Sequence, residues 1–234
     1  MTAAFYNFHP AMVSKAVPGC WEAVAPRTLC RVRAIAAGEA LSEACSVSAR
    51  TDLVAALPLL RRAVAGCDVA GRVMAAANRS LWPAISTALG TGGLAEAWQA
   101  CTTLREHRGD GHVAALVAQG IGGLDAHLLA AGTKGVPADV LRENRGWSEQ
   151  DWDDATSRLA SRGLLHTDGR ATDAGRTLHA AVEEQTDRLA VSPFAGLSDA
   201  SLADLYGAVS ACAREVVATG MLAFPNPMGL PRAG

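Results

Sequence analysis

Aromatic residues make up only 5% of this 234-residue sequence and charged residues only 19%. Runs of β-branched residues are few, which leaves little from which to build a large sheet. No stretch approaches the roughly 20 uninterrupted apolar residues of a membrane span, and Met1 to His9 has no basic start leading into an apolar run. A soluble, cytoplasmic protein with no membrane partner is therefore expected. The six cysteines (Cys20, Cys30, Cys45, Cys67, Cys101, Cys212) include no CxxC pair and no zinc-spaced His, so no metal site is expected and buried thiols in a reducing compartment are. Nor is one sign of charge in excess: 21 Lys plus Arg against 23 Asp plus Glu give a net charge of −2, and nucleic-acid binding needs a local basic face.

What is abundant is apolar: 50% of the residues are hydrophobic, enough for a buried core and too many for disorder. Ala and Leu recur at three- and four-residue spacing, the helical period. The expected fold is mainly α, a helical bundle with an embedded degenerate winged-helix segment carrying a small β wing. The spacing predicts helices over 26–45, 51–67, 69–78, 94–107, 111–131, 148–162, 172–191 and 198–220, with Pro58 kinking or ending the second. Three parts are expected: a helical domain over 1–132, a winged-helix-like segment over 133–192, and a C-terminal helix with a Pro-rich tail over 193–234 that packs back on the bundle.

The middle part has a recognisable order. Val136 to Leu141 reads as a short helix, Ser148 to Arg162 as a second, and Gly163 to Thr172 as a hairpin turning at Asp168-Gly169. In a DNA reader the second helix must offer donors and positive charge to the major groove. Here it opens Ser148-Glu149-Gln150-Asp151-Trp152-Asp153-Asp154, four carboxylates that repel phosphates. Ser148 reads as an N-cap with the acids set against the helix dipole. DNA is the less favoured partner.

The densest chemistry lies in Leu104-Arg105-Glu106-His107-Arg108-Gly109-Asp110-Gly111-His112, with two Arg, two His and two carboxylates in nine residues. A continuous helix would align Arg105, Arg108 and His112, whereas a break at Gly109 or Gly111 would free amide donors at the next helix start. Either geometry makes an anion site. The structural alternative is an ion-pair network in which Glu106 and Asp110 neutralise the arginines. The apolar run that follows, Ala114 to Ala118, favours a cluster entering the interior, where buried ions need partners. The opening Phe5-Tyr6-Asn7-Phe8-His9 either packs as a staple or lines a pocket, and His127 reads as a core histidine or a pocket residue.

The segments Leu104 to Leu116, Arg145-Gly146-Trp147-Ser148 with Trp152, Gly163 to Arg176, Thr186 to Ala190 and Asn226-Pro227-Met228-Gly229 resemble a family of high-GC bacterial proteins that carries a helix-turn-helix label for its winged segment. Its members usually have a further helical stretch ahead of Phe5, so the resemblance implies a small helical partner subunit in a hetero-complex. Such a split arrangement is similar to the two-subunit enzymes that close the aziridine ring in azinomycin-type antibiotic pathways by expelling sulfate. That resemblance implies a substrate bearing an amine and a sulfate, and no cofactor. Arg105, Arg108 and His112 would hold the sulfate, with Glu106, Asp110 or His107 acting on the amine proton. Tyr6, Asn7 and His9 would contact the rest of the substrate. The competing expectation is a ligand-responsive, MarR-like winged-helix regulator.

Overall fold

Pro58 cannot donate a backbone hydrogen bond, so it ends one helix and opens the next. The chain accordingly breaks between Ala55 and Leu57. In the computed structural model, which describes residues 4–86, 93–226 and 228, the helices in order are α1 (Pro10–Ser14), α2 (Cys20–Ala23), α3 (Pro26–Ala44), α4 (Val47–Ala55), α5 (Leu57–Ala65), α6 (Val73–Ser86), α7 (Leu94–Ala118), α8 (Gly123–Lys134), α9 (Ala138–Arg145), α10 (Glu149–Ser161), α11 (Asp173–Ala190) and α12 (Asp199–Ala218). The fold is mainly α, as the composition requires. Among the described residues there is no strand, and no single helix is long and apolar enough to cross a membrane. The expected wing is reduced to one antiparallel bridge, Leu165 to Ala171, closed by His166 N–H donating to the Arg170 carbonyl at 2.8 Å. A turn this short, with Gly169 at φ +82°, leaves no room for a longer ladder.

The chain divides into two compact units. Of the described residues, 4–23, 112–188, 224–226 and 228 form the winged-helix unit, and 24–86, 93–111 and 189–223 the helical unit. The tail is described no further than Met228, whose sulfur accepts from the Arg145 guanidinium at 3.6 Å. The rest of the expected tail, Pro227 included, lies outside the described residues.

In the helical unit α12 packs on α3, α4 and α5. Its core holds Leu53, Leu57, Leu60, Leu94, Leu205 and the thiols Cys45 and Cys212. At the N-cap of α4 the Ser46 hydroxyl accepts from Ala49 N–H at 3.3 Å and donates to Glu215 of α12 at 2.8 Å, tying the two helices. Burial pushes the Cys212 thiol up to about 12 and the Cys101 thiol up to about 11, and burial also raises Cys67. Thiolate is the reactive form. Iodoacetamide at pH 8 is therefore expected to alkylate the partly exposed Cys20 and Cys30 first, leaving Cys45, Cys67 and Cys212 unmodified until denaturant is added. Peptide mass spectrometry reads the order, and early labelling of Cys212 would contradict the packing described.

In the winged-helix unit α8 packs on α9 and α10. The core gathers Leu116, Ile121, Leu124, Leu128, Leu129, Leu159, Leu165 and Val182. Gly146 at φ +75° makes the left-handed turn out of α9, and Ser148 caps α10 by accepting from Asp151 N–H at 3.1 Å while Asp151 reaches back to Ser148 N–H at 3.0 Å. This is the capping box that the order Ser-x-x-Asp encodes.

Candidate functional site

The charged segment 105–112 lies within one helix, because α7 continues through Gly109 and Gly111 to Ala118. The break expected there falls instead at Gly120, whose φ is +62°. Gly111 is needed for packing and not for a bend. A Cβ on it would lie 2.8 Å from Arg72 Nη1 and 3.2 Å from Leu189 Cβ. Through that gap Arg72 donates to the carbonyls of His107 (2.6 Å) and Leu189 (2.9 Å).

A continuous helix spreads the cluster around its axis, so of its charged and imidazole side chains only His107 is sealed inside and the cluster does not enter the interior as expected. Arg105 and Arg108, three residues apart, are both exposed, and Arg105 Nη1 donates to Glu106 Oε1 at 2.5 Å. Glu106 is 19% exposed and Arg105 60%. His107 lies on the opposite side, 0% exposed, with Nε2 3.4 Å from Ser192 Oγ and Nδ1 without a hydrogen-bond partner. Burial and the Arg72 guanidinium lower its pKa, so it is neutral at pH 7. Asp110 Oδ2 accepts from Ala75 N–H at 2.9 Å, satisfying one of the orphan donors at the start of α6. His112 falls in the other unit, where Nδ1 lies 2.9 Å from Thr186 Oγ1 and 3.8 Å from Glu183.

His107 belongs to a buried polar stripe that the sequence reading missed. Glu96, Gln99, Thr103 and His107 follow at steps of three, four and four, which is one helix face. Each of the first two is satisfied by side chains far along the chain. Arg61 grips Glu96 through Nε (2.7 Å) and Nη2 (2.9 Å). Gln99 donates to the Asn78 carbonyl at 3.0 Å and to its side-chain oxygen at 3.2 Å. The spacing is visible in the sequence, but nothing local reveals Arg72, Arg61 or Asn78 as the partners.

Tyr6, Asn7 and His9 are gathered in the winged-helix unit as a staple. Tyr6 hydroxyl donates to the Ile121 carbonyl at 2.5 Å. The Asn7 carbonyl lies 3.1 Å from His127 Nε2 and accepts from Trp147 Nε1 at 3.1 Å. His9 Nδ1 accepts from Ala11 N–H at 3.2 Å, and the ring meets Trp147 edge-on. The Tyr6 hydroxyl and the Asn7 carbonyl thus hold the N-terminal segment on Ile121, α8 and the turn before α10, while His9 Nδ1 caps α1.

Hollows lined by described residues of this unit include two. One of about 320 Å³ is lined by Gly122, Gly123, Asp125, Trp147, Asp151, Asp154 and Arg158, with Tyr6 and Asn7 behind Gly123. Arg158 pairs with Asp125 at 3.0 Å, and the Ser148 hydroxyl and N–H hold the Asp151 carboxyl below its usual range. The second, about 570 Å³, lies among α8, α10 and the wing turn. Among the described residues no group of three His, Cys, Asp or Glu converges as a metal site.

The sequence α8, α9, tight turn, α10, wing is the order of a helix-turn-helix with its wing. Neither a characterised protein nor a solved structure matches this chain. A sequence profile described as a helix-turn-helix family matches residues 1–223, and on that match the chain belongs to that helix-turn-helix family.

Proposed function

We propose that this chain is an enzyme subunit acting on a small molecule and that its winged-helix unit serves as scaffold. The observation that carries this reading is the electrostatics of α10. Glu149, Asp153 and Asp154 are exposed on the half of the helix that a reader inserts into the major groove. Carboxylates there meet phosphates and base-edge acceptors without supplying the counterion release that drives DNA binding.

For the reaction we assign intramolecular displacement of a sulfate by a neighbouring amine, closing an aziridine or azabicyclic ring. Its support is the split, two-subunit arrangement that the family resemblance implies, together with the exposed Arg105 and Arg108 three residues apart on α7. The two guanidiniums take the sulfate oxygens bidentately and stabilise the charge that grows as the C–O bond breaks. The amine lone pair forms the C–N bond from the opposite side. The proton lost from nitrogen passes to Glu106, whose carboxylate Arg105 holds in place. His107, sealed on the far face, takes no part in this scheme, and neither metal nor cofactor is required. A small helical partner subunit completes the enzyme.

The double variant Arg105→Ala/Arg108→Ala, assayed with the partner subunit for sulfate release, is expected to lose at least about 100-fold in turnover with an unchanged helical spectrum. Unchanged turnover would remove the sulfate-holding role. The second reading, a DNA-binding regulator, is favoured by the helix-turn-helix order and by Arg142, Arg145, Arg158, Arg162 and Arg170 nearby. Fluorescence anisotropy with duplex DNA from upstream of the gene, at about 0.15 M salt, separates the two. Tight, sequence-dependent binding by the wild-type chain would establish the regulator.

A further inference from the structure

The larger hollow is built from parts that the proposed reaction does not use. Its floor is apolar, with Leu128 of α8, Val136 before α9 and the Trp152 indole of α10. Its rim carries the exposed wing residues Asp168 and Arg170, and Thr156 lines it with its hydroxyl donating to the Trp152 carbonyl at 2.9 Å. A volume of about 570 Å³ is in the range that takes a small organic molecule.

Backbone contacts determine its shape. Ala171 N–H donates to the Gly132 carbonyl at 3.2 Å, and a Cβ on Gly132 would stand 2.6 Å from the Gly169 carbonyl oxygen. Glycine at 132 therefore lets the wing turn close on α8, which sets the rim above the floor. The rim charges are held as a pair: Arg170 donates through its backbone N–H to Asp168 Oδ1 (3.0 Å) and through Nε to Asp168 Oδ2 (2.8 Å). That geometry uses one nitrogen of the guanidinium, and a carboxylate accepts more bonds than the two it receives here. An exposed carboxylate and guanidinium, paired side by side beside Trp152, match one ligand chemistry. Its ammonium meets Asp168, its carboxylate or sulfate meets Arg170, and its apolar group rests on Trp152.

We propose that this hollow binds a small zwitterion with an apolar side group, of the amino-acid type, between α10 and the wing. The site shares no residue with the Arg105 and Arg108 pair, and the proposal holds whether or not the chain displaces sulfate. Three probes separate the charges by isothermal titration calorimetry on the full chain: L-phenylalanine, phenylacetate and phenethylamine. L-Phenylalanine is expected to bind at least about tenfold tighter than either singly charged analogue, because only it engages both rim groups. Asp168→Asn and Arg170→Gln, both at exposed positions, are each expected to bring L-phenylalanine within about twofold of the analogue lacking the corresponding charge. Thr156→Trp, which fills the hollow, should abolish the heat. Absence of saturable L-phenylalanine binding in the millimolar range overturns the proposal. So does binding unaffected by the rim variants, or an affinity for phenylacetate or phenethylamine equal to that for L-phenylalanine.

Discussion

Gly175→Ala is expected to destabilise the winged-helix unit by about 3 kcal/mol or more, lowering its melting temperature by roughly 10 °C. Gly175 is buried in the first turn of α11, and a Cβ there would collide with the Leu164 carbonyl oxygen and stand 3.0 Å from the Leu164 carbonyl carbon. The obstruction is backbone, not the far end of a flexible side chain. Nor can the Leu164 carbonyl move freely, since it accepts from Thr172 N–H at 3.1 Å and from the Thr172 hydroxyl at 3.2 Å. Gly175 N–H in turn donates to Thr172 Oγ1 at 3.0 Å. One methyl group must therefore prise α11 away from the wing. Thermal melts followed by circular dichroism read the effect, and a shift under about 3 °C would mean that the contact is looser than described. Gly123→Ala, whose Cβ would collide with the Tyr6 carbonyl, should act similarly by expelling the N-terminal staple.

Acid is expected to cost the same unit about 3 kcal/mol through His127. Burial depresses this imidazole to about 4 from an unperturbed 6.5, with Arg145 adding to the effect against the hydrogen bond to Asn7. The unfolded chain takes up a proton near pH 6.5 that the folded chain refuses until about pH 4. Stability is therefore complete above pH 6.5 and falls as the pH drops towards 4, by up to 1.36 kcal/mol for each pH unit. Urea midpoints at pH 7.5, 5.5 and 4.5 should show the decline. His127→Gln, which retains a donor and does not titrate, should flatten it. Parallel profiles for the two proteins would show that His127 is not buried neutral. Buried His107 is depressed in the same direction, so the helical unit should share a smaller part of the acid sensitivity.

Much of this architecture is readable from local chemistry. The interruption at Pro58, the N-cap at Ser148 and the Asp168-Gly169 turn each depend on residues within a few positions, and each appears where the sequence places it. Helix boundaries depend on more. Two helices expected over 94–107 and 111–131 are Leu94–Ala118 and Gly123–Lys134, and the one expected over 69–78 is Val73–Ser86. Gly109 and Gly111 looked like breakers because glycine weakens an isolated helix. In the folded chain Gly111 is where Arg72 and Leu189 come closest to α7, and that packing outweighs the propensity.

The charged segment shows the same division. Composition alone marks 105–112 as the richest chemistry in the chain, but it does not say which charges share a face. A rotation of 100° per residue sets Arg105 and Arg108 in solvent and seals His107 against Ser192, while Asp110 turns to the end of α6. The aromatic opening likewise had two readings, and Tyr6 and Asn7 are held by Ile121, His127 and Trp147, more than a hundred residues away.

From residue types and spacing alone came the helical character, the caps and turns, the acidic front of α10 and the existence of a charged knot, because each arises within a turn or two of chain. The burial of His107, the Gly132 approach that shapes the larger hollow and the pairing of Arg72 with α7 required the folded chain. Those features depend on groups brought together across long sequence separations, and helical periodicity carries no information about which distant residue fills a given gap.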